Sequence, residues 1–135
     1  MIKEINLLFP PHRLKTLLSY AASDDIESVY KDYRQIPNRK LFGFQKDGQL
    51  IGCIGGEQNS DTFIILHIAV TPEERVSGVG SSMIQFILKD SSIKTVIAET
   101  DQEAVNFYRK FGFHITSLGE KYPGVERFDC QYTLK

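Results

Sequence analysis

An excess of either charge is missing from this chain. Sixteen Lys and Arg stand against seventeen Asp and Glu, for a formal net charge of -1. No basic stripe suited to a phosphate backbone is present, so nucleic acid is not the expected partner. Cysteine is scarce, with Cys53 and Cys130 far apart and no C-x-x-C spacing, which fits a reducing cytoplasm. The N-terminal stretch "MIKEINLLFPP" is too short in apolar length for a signal peptide, so a cytoplasmic location is expected. Long apolar runs are also lacking. The longest, Phe63 to Val70, contains His67 and falls short of the roughly 18 residues of a membrane helix, so no bilayer span is expected. The three histidines, His12, His67 and His114, never pair with Cys or Asp at ligand spacing, so no metal is expected.

What is present is the profile of one soluble domain. The 135 residues are 41% apolar and 24% charged, and a chain of this size buries on the order of 68% of its unfolded surface without metal or disulfide staples. Residues 1–135 are therefore expected to form a single domain.

A short strand, Ile2 to Leu8, is followed by Pro10 and Pro11, which separate it from a helix. In "RLKTLLSYA", Leu14, Leu17, Leu18 and Ala21 fall on one helix face, and "DDIESVYKDY" repeats that spacing with Ile26, Val29, Tyr30 and Tyr33 behind possible caps at Ser23, Asp24 and Asp25. "KLFGFQKDGQLIGCIGG" reads as a hairpin turned at Asp47-Gly48. "FIILHIAV" is apolar at odd and even positions alike, the mark of a central strand buried on both faces. A helix from about Gly78 to Lys89, a strand "KTVIAET" and a helix "QEAVNFYRKF" follow, the last with Ala104, Phe107, Tyr108 and Phe111 on one face and Gly112 as its stop. Strands "FHITSL" and "ERFDCQYTL" flank a turn at Tyr122 to Gly124. The order β-α-α-β-β-β-α-β-α-β-β describes an α/β domain with a mixed, mostly antiparallel sheet and flanking helices.

The segment "RVSGVG", Arg75 to Gly80, joins the central strand to the next helix. A helix begins with about four unpartnered N–H groups and roughly half a positive charge. Gly78 and Gly80 let a diphosphate approach those amides, while Ser77 and Ser81 offer hydroxyls and Arg75 a charged fork. A Walker loop would need a lysine after Gly80, where Ser81 and Ser82 stand, and a dinucleotide fingerprint would need a third glycine at position 83, which is Met83. A tight bend with no ligand is the competing role for these glycines.

"VTPEERVSGVGSSMIQFIL", followed about twenty residues on by "ETDQEAVNFYRKFGF", resembles the acetyl-coenzyme A binding core of the GNAT N-acetyltransferase superfamily. Arg75, Gly78 and Gly80 match its pyrophosphate loop, and Ala104, Phe107, Tyr108, Gly112 and Phe113 match its second segment. The two segments span roughly Phe63 to Phe113, and the order of the remaining elements agrees with that of the family. Two departures stand out. Val76-Ser77 replaces a pair that in the family often contains a glycine and a basic residue, and Asp101 replaces an asparagine, so it caps the helix but lacks an amide donor for the pantetheine arm.

The resemblance implies a GNAT-like fold and acetyl-coenzyme A (acetyl-CoA) as co-substrate. It implies that the central strand splays from its parallel neighbour and that backbone groups of Ile68, Ala69 and Val70 bind the pantetheine arm. The loop Arg75, Val76, Ser77, Gly78, Val79, Gly80 and Ser81 would hold the diphosphate, with Asp101 and Tyr108 beside the coenzyme. Acetyl transfer would run directly from thioester to amine, with Tyr108 as the acid for the departing thiolate, although its helix spacing also suits plain packing.

An amine resembling that of lysine, with a reference pKa near ~10.4, must lose a proton before attack. Glu99, at the end of its strand, is the first candidate base, His67 the second and Glu57 a weaker third, while a capping carboxylate and a core imidazole are the competing roles of the first two. The acceptor, a primary amine on a small molecule or peptide, would lie against "YKDYRQIP" and "GEKYPGVERF", whose mixed charges select neither cation nor anion. A non-catalytic acyl-CoA sensor or interaction module with the same fold is the alternative, as is an enzyme moving a longer acyl group. Homodimers are common in the family.

Overall fold

The computed structural model describes every residue except Phe9, Ser23, Asp24 and Lys135. The chain runs through β1 (Ile2–Glu4), α1 (Leu14–Ser19), α2 (Ile26–Gln35), β2 (Arg39–Lys46), β3 (Gln49–Asn59) and β4 (Thr62–Val70). A 3-10 turn at Pro72–Glu74 leads to α3 (Val79–Leu88), then β5 (Thr95–Asp101), α4 (Val105–Phe111), β6 (His114–Tyr122) and β7 (Val125–Thr133). The strands form one seven-stranded sheet in the order β1-β2-β3-β4-β5-β7-β6. Among the described residues only the β4–β5 contact is parallel, so this is the mixed, mostly antiparallel α/β architecture that the element order describes.

Helices cover both faces. Leu14, Leu17 and Leu18 of α1 and Ile26, Val29, Tyr30 and Tyr33 of α2 pack with Leu41, Leu50, Cys53 and Ala69 on one face of β2, β3 and β4. Val79, Met83, Ile84 and Ile87 of α3 and Val105 and Tyr108 of α4 pack on the opposite face with Ile54, Ile65, Val96, Ala98, Phe128 and Cys130. A closed apolar layer on each side fixes the sheet between two rigid walls. Among the described residues, no helix is long and apolar enough to cross a membrane.

Local chemistry explains where elements begin and end. Asp47 and Gly48 take φ of 53° and 78° and close the β2–β3 hairpin, as their residue types anticipate. Gly112, at φ 118°, ends α4. The first strand is shorter than the expected Ile2 to Leu8. Past Glu4, the Asn6 carboxamide oxygen accepts a bond from the backbone N–H of Leu8 at 3.0 Å, a local turn that competes with strand pairing. Likewise α4 starts at Val105, because the Asp101 carboxylate accepts from the N–H groups of Glu103 and Ala104 at 3.0 and 3.1 Å. Ala104 is exposed and does not share the buried face expected for it. Of the three expected caps of α2, Ser23 and Asp24 lie outside the described residues, and Asp25 holds the cap position with its carbonyl oxygen accepting from the Val29 N–H at 3.1 Å but no bond from its side chain to the helix amides.

Candidate active site

β4 pairs with β3 along most of its length, but its ladder to β5 comprises only Thr62–Thr95, Phe63–Val96 and Ile64–Ile97. Both strands continue past that point, β4 to Val70 and β5 to Asp101, the latter still paired with β7. The sheet therefore opens into a gap at the C-terminal ends of its two parallel strands.

A β-bulge lies at the mouth of the gap. Gly55 pairs with His67 and Gly56 with Ile65, which leaves Leu66 as an extra residue, 37% exposed. One extra residue bends a strand and reverses its alternation. Phe63 and Ile65 therefore face the α3/α4 core, whereas beyond the bulge Ile68 and Val70 take that face and Ala69 turns to the α1/α2 core. The strand is central as expected, yet it is not buried on both faces throughout. A Cβ on Gly56 would lie 2.2 Å from the Ile64 carbonyl oxygen, so only glycine fits there.

The segment after β4 carries the expected loop. Thr71 is buried, and its N–H bonds the Ile51 carbonyl oxygen at 2.9 Å. Val76 then adopts φ 64° and Gly78 φ 89°, and α3 begins at Val79 with its first-turn amides following directly. No atom lies within 4 Å of where a Cβ on Gly78 would stand, so its positive φ is what calls for glycine. Gly80 differs: a Cβ would come within 2.9 Å of the Phe107 ring, so the bare position lets α3 and α4 approach closely. Where the sequence alone assigns Gly80 to a ligand, this packing is its role in the fold.

Two further loop donors, Arg75 and Ser77, have protein partners. Arg75 Nε donates to the Val70 carbonyl oxygen at 3.0 Å, and its guanidinium lies 5.1 Å over the Tyr20 ring. The Ser77 hydroxyl donates to the carbonyl oxygen and to the carboxylate of Glu74. Lys46 Nζ in turn donates to Glu74 at 3.0 Å and holds that carboxyl below its ordinary pKa.

The candidate proton carriers lie on opposite faces of the sheet. Tyr108 is 4% exposed, stacked edge-on against Phe107 and Phe113 with ring centroids 5.1 Å away in each case. Burial, followed by the nearby Cys130, pushes its phenol pKa up, so the group keeps its proton. Its hydroxyl has no bonding partner among the described residues. No buried side-chain oxygen or nitrogen there lacks one either, so this oxygen reaches solvent.

His67, turned by the bulge onto the α1/α2 face, lies with Nδ1 2.7 Å from the Tyr33 hydroxyl in a hydrogen bond. Glu99 sits beyond the last β4–β5 pair, as expected, but its carboxylate accepts from Lys121 Nζ at 3.3 Å and Arg127 Nε at 3.2 Å. Burial raises its pKa, yet those two bonds outweigh burial and hold it below the ordinary value. A carboxylate so held is a poor proton acceptor. Glu57, the weaker candidate, accepts from Arg39 Nε at 3.4 Å. The residue that the sequence reading missed at this site is Tyr33, whose helix spacing marks it only as core.

Residues 37–115 match the family described as "Acetyltransferase (GNAT) domain", more than half of the chain. The chain belongs to the GNAT acetyltransferase family. Among its relatives, UPF0157 protein YqkA of Bacillus subtilis (strain 168) is 31% identical over 83 residues, 58% of this GNAT chain and 24% of that protein. The matched region thus spans about a quarter of the length of that relative. A GNAT family acetyltransferase from Elizabethkingia anophelis, solved with acetyl-CoA bound, superposes with a TM-score of 0.78 at 19% identity, covering 99% of this chain and 97% of that one. The ribosomal-protein-S18-alanine N-acetyltransferase of Escherichia coli gives 0.80 at 14% identity, covering 100% and 94%. At such identities the likeness is one of fold.

Proposed function

We propose that this GNAT chain transfers an acetyl group from acetyl-CoA to a primary amine of a small molecule or peptide. The observation that carries this reading is the three-pair β4–β5 ladder, which leaves one edge of Ile68, Ala69 and Val70 beside the N-terminus of α3. A pantetheine arm would bind that edge as an added strand does. The diphosphate would bind the amides of Val79, Gly80 and Ser81, with Arg75, Val76, Ser77 and Gly78 forming the approach and Asp101 and Tyr108 beside the arm. Arg75 would exchange its bond to Val70 for one to phosphate.

The chemistry then divides between the two faces of the sheet. The amine enters from the α1/α2 face, its nitrogen attacks the thioester carbonyl carbon, and the C–S bond breaks as the C–N bond forms. His67 takes the proton that the nitrogen loses. Tyr108 donates to the departing sulfur from the α3/α4 face, and both groups exchange protons with solvent to restore the starting state. Thiols and phenols have reference pKa values of about 8.5 and 10, and the apolar surroundings that raise the phenol also disfavour a free thiolate, so the two remain close enough for transfer. His67 is preferred to Glu99 because Glu99 is bound to two cations.

Release of coenzyme A thiol, measured across a panel containing a polyamine, an aminoglycoside, free lysine and a peptide with a free N-terminus, tests the reading. Turnover on at least one amine, lowered about 100-fold by Tyr108→Phe, is expected. Tight acetyl-CoA binding without turnover on any amine would point instead to a non-catalytic sensor.

A further inference from the structure

We infer that Tyr33 is a positioning residue for His67 and that Gly55 is the opening through which it reaches the imidazole. The inference rests on the reading of His67 as the proton acceptor. Tyr33 belongs to α2 and His67 to β4, 34 residues apart, yet the hydroxyl and Nδ1 are 2.7 Å apart and the rings 5.6 Å between centroids. Gly55 pairs directly with His67 across β3 and β4. A Cβ on Gly55 would stand 2.3 Å from the Tyr33 hydroxyl oxygen and 2.6 Å from Cζ. Any side chain there would push the phenol off the imidazole. Three separate features therefore converge on one bond: the bulge that turns His67 to this face, the glycine opposite it, and a tyrosine that is 6% exposed.

An imidazole that takes a proton at Nε2 must carry hydrogen on Nδ1 beforehand, and that N–H needs an acceptor. The Tyr33 oxygen is placed to be that acceptor. Burial, the neighbouring Cys53 thiol and, in the opposite sense, Arg39 act on this phenol, and the net effect keeps it neutral. The bond thus orients the ring and selects the base-competent tautomer without placing a second ionised group against it. As the imidazolium forms, Nδ1–H continues to donate to the same oxygen.

The test combines a double-mutant cycle with a direct reading of the tautomer. Activity is followed as coenzyme A thiol release with acetyl-CoA and whichever amine of the panel turns over. Nitrogen-15 NMR of histidine-labelled protein, with the His67→Gln spectrum for assignment, reads the tautomer in the full chain. His67→Gln is expected to lower kcat by about 100-fold or more. Tyr33→Phe, which keeps the packed ring, is expected to lower kcat by roughly tenfold through loss of the competent tautomer, with KM for acetyl-CoA unchanged. In the His67→Gln background, Tyr33→Phe should have no further effect on kcat. Hydrogen on Nδ1 of His67 is expected in the native chain and on Nε2 in Tyr33→Phe. Hydrogen on Nε2 in the native chain, or the same tenfold loss from Tyr33→Phe with and without His67, overturns the role of Tyr33 and leaves His67 as base. Full activity of His67→Gln overturns the base assignment itself.

Discussion

Arg75 Nε and the Val70 carbonyl oxygen, 3.0 Å apart, tie the loop before α3 to the last residue of β4. The same side chain lies over Tyr20 and is otherwise exposed, so its own contribution to folding is small. Arg75→Ala is therefore expected to leave the thermal midpoint nearly unchanged and to weaken coenzyme A binding about tenfold, the worth of one charge-assisted hydrogen bond. Arg75→Lys should recover only part of the loss, since an ammonium group lacks the planar fork. Titration calorimetry with coenzyme A checks both. Unchanged affinity in Arg75→Ala would remove this side chain from the diphosphate site.

Val76 is β-branched, fully exposed and held at φ 64°. The left-handed region costs such a residue roughly 1–2 kcal/mol, and the side chain has no packing to lose. Val76→Gly relieves that strain while adding backbone freedom to the unfolded chain, a smaller opposing effect. The expected net gain is about 1 kcal/mol, or a rise of roughly 4 °C in Tm. Differential scanning calorimetry measures it, and a Tm that falls would contradict a strained Val76.

These residues mark the limits of what the sequence discloses. Asp47-Gly48 encodes its turn chemically, and the hairpin stands where the sequence puts it. The apolar run from Phe63 to Val70 marks a central strand, because only a strand flanked on both sides needs so little polarity. That same uniformity hides the bulge. Where odd and even positions are alike, a one-residue slip leaves no trace in the pattern, so neither the exposure of Leu66 nor the face of His67 could be read. The turn from Arg75 into α3 shows in its glycine spacing, but neither the stacking of Arg75 on Tyr20 nor the two cations on Glu99 do, since each depends on segments that meet only in the folded chain. Tyr33 is the clearest case: its i, i+3, i+4 spacing fits a core position, and only tertiary structure brings its hydroxyl to His67.

Alkaline pH provides a test of the buried acids. Burial pushes the Cys53 thiol from 9.0 up to about 12, and burial with the nearby Asp129 pushes Cys130 up to about 11. Tyr33 and Tyr108 shift in the same direction, burial again first. In the unfolded chain thiols ionise near ~8.5 and phenols near ~10. Above those values the unfolded state binds fewer protons than the folded state, so stability falls as pH rises. The loss should begin near pH 9 and proceed at roughly 1 kcal/mol per pH unit for each thiol held neutral. Urea midpoints at pH 8, 9.5 and 10.5 measure the slope. A flat profile across that range would show that these groups ionise as freely in the folded state as in the unfolded one.

Gly80 and Phe107 connect the loop to the helix that carries Tyr108. A Cβ on Gly80 would meet the Phe107 ring at 2.9 Å, and Phe107 in turn stacks on Tyr108. Gly80→Ala must displace that ring, and because the core around it is closely packed the displacement passes to α4. A cost of about 1–3 kcal/mol in stability is expected, the usual range for overpacking. A tenfold or greater fall in kcat should accompany it, since misplacement of a reacting group by about 1 Å is enough to cause such a loss. Phe107→Leu in the Gly80→Ala background should restore part of both, because the smaller side chain makes room for the added methyl group. Gly78→Ala serves as the contrast: it meets no atom, so it should cost only the strain of its positive φ and leave the geometry of α4 intact. Urea denaturation and coenzyme A thiol release on the four proteins separate the two effects, and equal kcat losses at the two glycines would show that the loss does not pass through Phe107.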